Sequence, residues 1–131
     1  MRDFEALDRY LAERAAMPFQ WGKNDCVSFY AGAAKALCGA RLLKGMRWGS
    51  EAGAARLVNE MGGLKDAISS RLAPIEPAFA QRGDAAGVHD ERFGLLLMVV
   101  EGSLLVGPGN GRRLMRAPRS AMLCAWSLPR E

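Results

Sequence analysis

A change of character near residue 83 constrains the fold more than any other feature of the chain. Before it, apolar residues recur at helical spacing; after it, they come in short runs separated by glycine-rich turns. Helices first and antiparallel strands second, with no alternation, specify an α+β domain with N-terminal helices packed on a small C-terminal antiparallel sheet. The 131 residues, half of them apolar, suit one compact domain over 1–131, with a helical part at 1–73 and a sheet part at 83–128.

In the first part, Asp3 can cap a helix that sets Phe4, Leu7 and Leu11 on one face and ends before Pro18. A second helix starts near Asn24 or Asp25, carries Cys26, Phe29, Tyr30, Ala33 and Leu37 on its inner face, and stops at Gly39. Ser50 can cap a third, with apolar positions Ala54, Leu57, Val58 and Met61, closed by Gly62 and Gly63. A short fourth helix has Leu64, Ala67, Ile68 and Leu72 as its inner stripe, after which Pro74 and Pro77 hold the chain extended. Strands are predicted at 84–88, 93–100, 103–106, 112–116 and 122–128. Their turns are a loop at 88–91, a tight hairpin at Gly102 and Ser103, and a glycine-rich loop over 107–111.

Composition narrows the function classes. Arg2, Asp3, Glu5, Asp8 and Arg9 leave no apolar stretch for a signal peptide at the start, so the chain is expected in the cytoplasm as synthesised. Its longest apolar run, 95–100, is far below the roughly 20 residues of a membrane helix and reads as a buried strand. The net charge of +4 is modest. Arg112, Arg113, Arg116, Arg119 and Arg130 cluster near the end without interleaved aromatics or a recognition helix, so nucleic acid is not favoured as a partner.

Three cysteines without an export signal do not make a disulfide framework. Cys26 and Cys38, on one helix, would stand about 18 Å apart, beyond bonding reach. Cys38 and Cys124 read as core residues, and no C-x-x-C pair offers a zinc site, so neither metal nor cofactor is implied. Cys26 differs, because a thiol at a helix N-terminus is expected to have a lowered pKa. Gly22 lets the preceding turn bend sharply, and Trp21 can wall a cleft. The alternative is that Cys26 is one more small inward-facing core residue.

The run Trp21-Gly22-Lys23-Asn24-Asp25-Cys26 resembles the nucleophile segment of the NlpC-type, papain-like cell-wall cysteine peptidases. Gly83-Asp84 resembles the opening of that family's first strand, and Phe93-Gly94-Leu95-Leu96 its V-G-I-Y continuation. The matches extend over roughly 18–128 and resemble in particular a group of small phage and prophage proteins that open with F-x-W-G-x-x-D-C. The resemblance implies a papain-like fold, a Cys26 nucleophile, and peptidoglycan peptides or phage tail proteins as partners, with the protein carried on the virion.

One departure stands out. The family places its catalytic histidine immediately before V-G-I, and that position here is Arg92, which cannot deprotonate to act as a base. The chain's one histidine, His89, is the remaining candidate base, or else a solvated turn residue. The family's orienting polar residue would fall near 104–107, which is apolar or glycine, with Asn110 as a remote substitute. Gln20 stands six residues before Cys26, the spacing of a papain-type oxyanion donor, and Asp25 reads foremost as the helix cap. Two readings follow: a phage-derived cysteine hydrolase acting on peptide amides of peptidoglycan, or a catalytically inactive structural or adaptor component of phage tail assembly.

Overall fold

Three of the helix starts are fixed by side chains that accept the first free backbone amides. Asp3 accepts from the Ala6 amide at 3.0 Å and opens α1 (Phe4–Ala15). Asp25 accepts from the Ser28 amide at 2.8 Å while Ser28 Oγ accepts from the Asp25 amide at 3.0 Å, a reciprocal box that opens α2 (Cys26–Cys38). Ser50 accepts from Gly53 at 3.0 Å and opens α3 (Glu51–Glu60). The fourth helix, α4 (Leu64–Ser69), has no side-chain cap and is shorter than the sequence pattern predicts. Leu72 lies beyond its end but stays buried, with its amide donating to Ile68 O at 2.9 Å.

The computed structural model describes residues 2–109 and 113–128. Its sheet comprises β1 (Ala73–Ile75), β2 (Ala85–Asp90), β3 (Gly94–Val100), β4 (Leu104–Pro108), β5 (Leu114–Pro118) and β6 (Cys124–Ser127), in the order β1-β6-β2-β3-β4-β5 with every neighbour antiparallel. The molecule is therefore α+β, as its residue pattern predicts. The sheet nevertheless begins ten residues earlier than the predicted boundary at 83. Pro74 sits at the centre of β1, which occupies the sheet edge where a missing amide leaves no gap in the ladder.

Two turns also differ from expectation. Val88, His89 and Asp90 are not a turn but the end of β2, paired with Leu96, Leu95 and Gly94. The turn falls on Glu91, Arg92 and Phe93, because Gly94, at φ +79°, takes the left-handed position that closes such a hairpin. Gly107 and Pro108 belong to β4 rather than to a loop, and β5 is shifted toward the C-terminus of the predicted 112–116. Asn110, Gly111 and Arg112 lie outside the described residues. The hairpin at Gly102 and Ser103 is as predicted, with the Glu101 amide donating to Leu104 O at 2.9 Å.

The uninterrupted apolar run of β3 has a plain cause: both faces of the sheet are covered. Leu97 and Val99 join Phe29, Tyr30, Ala33, Leu37 and Trp126 in the core beneath α1 and α2. Met98 and Val100 face the other way, against Ala80, Val88 and Leu105. Burying side chains such as Phe29 and Leu37 contributes on the order of 2 kcal/mol each. By contrast, no residue of α3 is buried, so its apolar stripe does not serve the core as its periodicity suggests. No described helix is long and apolar enough to cross a membrane.

Candidate functional site

The polar turn before α2 is tied to α1 and cannot drift. Gln20 O accepts from the amides of Lys23 and Asn24 at 3.1 and 2.7 Å. Asn24, buried, donates from Nδ2 to Pro18 O at 3.0 Å, and Arg14 donates to Lys23 O at 2.6 Å. Gly22 turns the chain at φ +80°, where a Cβ would overlap the Trp48 carbonyl oxygen. Only glycine fits both the conformation and the contact.

Asp25 organises the turn. Its buried carboxylate accepts from the Ser28 amide at 2.8 Å, from Ser28 Oγ at 2.9 Å, from the Gly22 amide at 2.7 Å and from Trp48 Nε1 at 2.6 Å. With its oxygens so engaged, Asp25 is a cap and a clamp rather than a proton carrier.

Cys26 follows as the first residue of α2 and opens into a cavity of about 690 Å³ between α2, α3, α4 and the β3 side of the sheet. Burial pushes its thiol up to about 11, and the charges of Asp25 and Asp90 push in the same direction against hydrogen bonding from the backbone of Leu97 and of Cys26 itself. The lowering expected from a helix N-terminus is thus outweighed, because an apolar wall and two nearby carboxylates disfavour a thiolate more than the first-turn amides favour it.

The remaining predicted site residues are dispersed. His89 is exposed on β2 and does not line the cavity into which Cys26 opens. Arg92, at the position of the family histidine, lies at the cavity rim and pairs with Glu51 at 3.1 Å. Trp21 lines the cavity and meets Phe19 and Phe93 edge-on at 5.0 and 5.9 Å. Gln20 is exposed and lines a separate, smaller hollow with Trp21, Gly22 and Trp48, not the cavity of Cys26. The segment where an orienting residue would fall contributes buried Leu105, Val106 and Gly107. The remote substitute, Asn110, is not among the described residues.

The three cysteines are free thiols, and Cys38 Sγ is within 3.4 Å of Ala34 O in its own helix. Among the described residues no group of three or more His, Cys, Asp and Glu side chains is placed to hold a metal ion. The site can therefore enclose an apolar group beside a protonated thiol, but it presents no imidazole to that thiol.

The model of a family described as "Domain of unknown function (DUF6950)" matches residues 2–128. The chain belongs to this family. No curated protein matches it.

Several residues that shape this DUF6950 site escape sequence reasoning. Trp48 is the foremost: it lies in a loop without periodicity, and nothing local ties it to Asp25, 23 residues away. Asp90 is another. Its Oδ2 accepts from the amides of Arg92 and Phe93 at 3.0 and 2.7 Å and so shapes the hairpin that carries Phe93 to Trp21. The Asp-x-x-Phe-Gly pattern is a usable signal for that turn, since an aspartate before a left-handed glycine commonly accepts amides two and three residues on.

Proposed function

We propose that this chain is a papain-like domain of NlpC type that binds without hydrolysing, serving as a structural or adaptor component of phage tail assembly. One observation carries the reading. The Cys26 thiol faces a large apolar cavity, is held protonated by burial and by Asp25 and Asp90, and has no histidine in that cavity's lining. A cysteine hydrolase needs a base to take the thiol proton and return it to the leaving amine, and Arg92 can do neither. The phage setting rests on the W-G-x-x-D-C and G-D resemblance alone.

A second reading has its own support. The backbone of Leu97 and of Cys26 itself favours the thiolate against the effect of burial, and backbone groups so placed can steady a developing oxyanion. In that reading His89 takes the Cys26 thiol proton, and the sulfur attacks a peptide amide of peptidoglycan to form a thioester. His89 passes the proton to the departing amine, and water then hydrolyses the thioester to release the acid and restore the thiol. The two readings separate in one assay, the hydrolysis of peptidoglycan fragments by the wild type, Cys26→Ser and His89→Ala. The binding reading expects no turnover above Cys26→Ser; turnover that depends on both side chains would replace it with the hydrolase.

A further inference from the structure

We infer that the cavity beside Cys26 receives the apolar side chains of an acidic peptide segment from a partner protein. This rests on the binding reading above and names what is bound. The cavity's lining includes Met46, Met61 and Met115, three of the chain's seven methionines, with Leu57 and Val58 from the otherwise unburied α3. Unbranched thioether side chains re-pack around mixed shapes, which suits a wall that meets several different side chains.

The charge requirement comes from the loop at 40–49. Leu42, Leu43, Met46 and Trp48 are half-buried and line the cavity, while Arg41, Lys44 and Arg47 are exposed at steps of three. No acidic residue occurs in this loop, and among the described residues none of the three cations forms an ion pair. The Trp48 bond to Asp25 anchors the loop at the Cys26 end, so apolar wall and cationic edge run side by side. The opposite rim is different, because Arg92 is already paired with Glu51.

A cationic edge beside an apolar cleft selects a ligand with carboxylates next to apolar groups. Three cations spread along the loop match successive acidic side chains of a peptide better than the single head group of a fatty acid. The partner segment is thus amphipathic, with its apolar side in the cavity and one acidic edge on the loop.

Fluorescence anisotropy with two labelled synthetic peptides tests this. Both carry the same Leu/Phe face, and their polar faces are Glu in one and Lys in the other. The Glu peptide should bind at least about tenfold more tightly, with an advantage that shrinks as salt is raised. R41E/K44E/R47E should reverse the preference, and Leu57→Glu on α3 should abolish binding of both peptides with the thermal midpoint nearly unchanged. Equal affinities, a salt-independent preference, or binding of decanoate when neither peptide binds would overturn the inference. If the Glu peptide fails and no hydrolysis is seen, the acidic-peptide inference alone falls. Cys26-dependent hydrolysis of peptidoglycan fragments instead removes the binding reading, and the peptide result then stands on its own.

Discussion

The indole Nε1 of Trp48 donates to Oδ2 of Asp25 at 2.6 Å, and this one bond joins the loop at 40–49 to the start of α2. The carboxylate that caps the helix therefore also fixes a wall of the cavity. Changes at the cap and changes at the loop should be felt by each other.

Asp25→Ala removes the cap and leaves the Gly22 and Ser28 amides and the Trp48 indole without their acceptor, which should cost about 3 kcal/mol. Trp48→Phe keeps most of the apolar contact and loses the bond alone, for about 1.5 kcal/mol. Urea denaturation of the two single variants and the double variant should give a coupling of about 1 kcal/mol or more. Strict additivity would mean that the bond contributes nothing to stability.

Gly22 and Gly45 have nearly the same backbone conformation, φ +80° and φ +82°, in different surroundings. A Cβ at Gly22 would overlap the Trp48 carbonyl oxygen, whereas among the described residues nothing beyond its chain neighbours would come within 4 Å of a Cβ at Gly45. Gly45→Ala should cost about 1 kcal/mol, the left-handed penalty by itself. Gly22→Ala adds a backbone collision and should cost about 3 kcal/mol, read as the difference in denaturation midpoints.

The residues that were legible in the chain are those whose signals are local. Asp3, Asp25 and Ser50 each announce a helix start, and the burial of Leu97, Met98, Val99 and Val100 is announced by one apolar run. What was not legible depends on distant partners. The edge strand at Pro74 exists because β6 lies alongside it, and the α3 stripe reads as core by period but faces a cavity. The thiol of Cys26 shows the same limit. Its helix position is visible in sequence, but the carboxylate of Asp90 and the wall formed by β3 reach it only through the fold.

Arg2 and Asp84 form a second long-range clamp, at 2.5 Å, with the aspartate wholly buried and also accepting from the Gln81 and Leu128 amides at 2.7 and 3.3 Å. Arg2→Met strands a buried charge and should cost about 3 kcal/mol or more in thermal or urea unfolding. Adding Asp84→Asn to that variant removes the charge that needed a partner, so the double variant should regain part of the loss. A further loss of the same size would show that Asp84 acts through its amide bonds and not through Arg2.

Cys26 gives the sharpest solution test. With its thiol pushed up to about 11, the reactive thiolate at pH 7 is about one part in ten thousand, so iodoacetamide should label it about a hundredfold more slowly than an ordinary free thiol. The rate should climb about tenfold per pH unit and level off only near pH 11. The linked effect on stability has a definite sign. The folded value lies above the unfolded one, so the native preference for the neutral thiol is fully present below about pH 9 and is lost as pH rises through about 11. Peptide-resolved mass spectrometry separates Cys26 from Cys38 and Cys124 in this experiment. A labelling plateau near pH 7 would mean an activated thiol and would return Cys26 to the role of nucleophile.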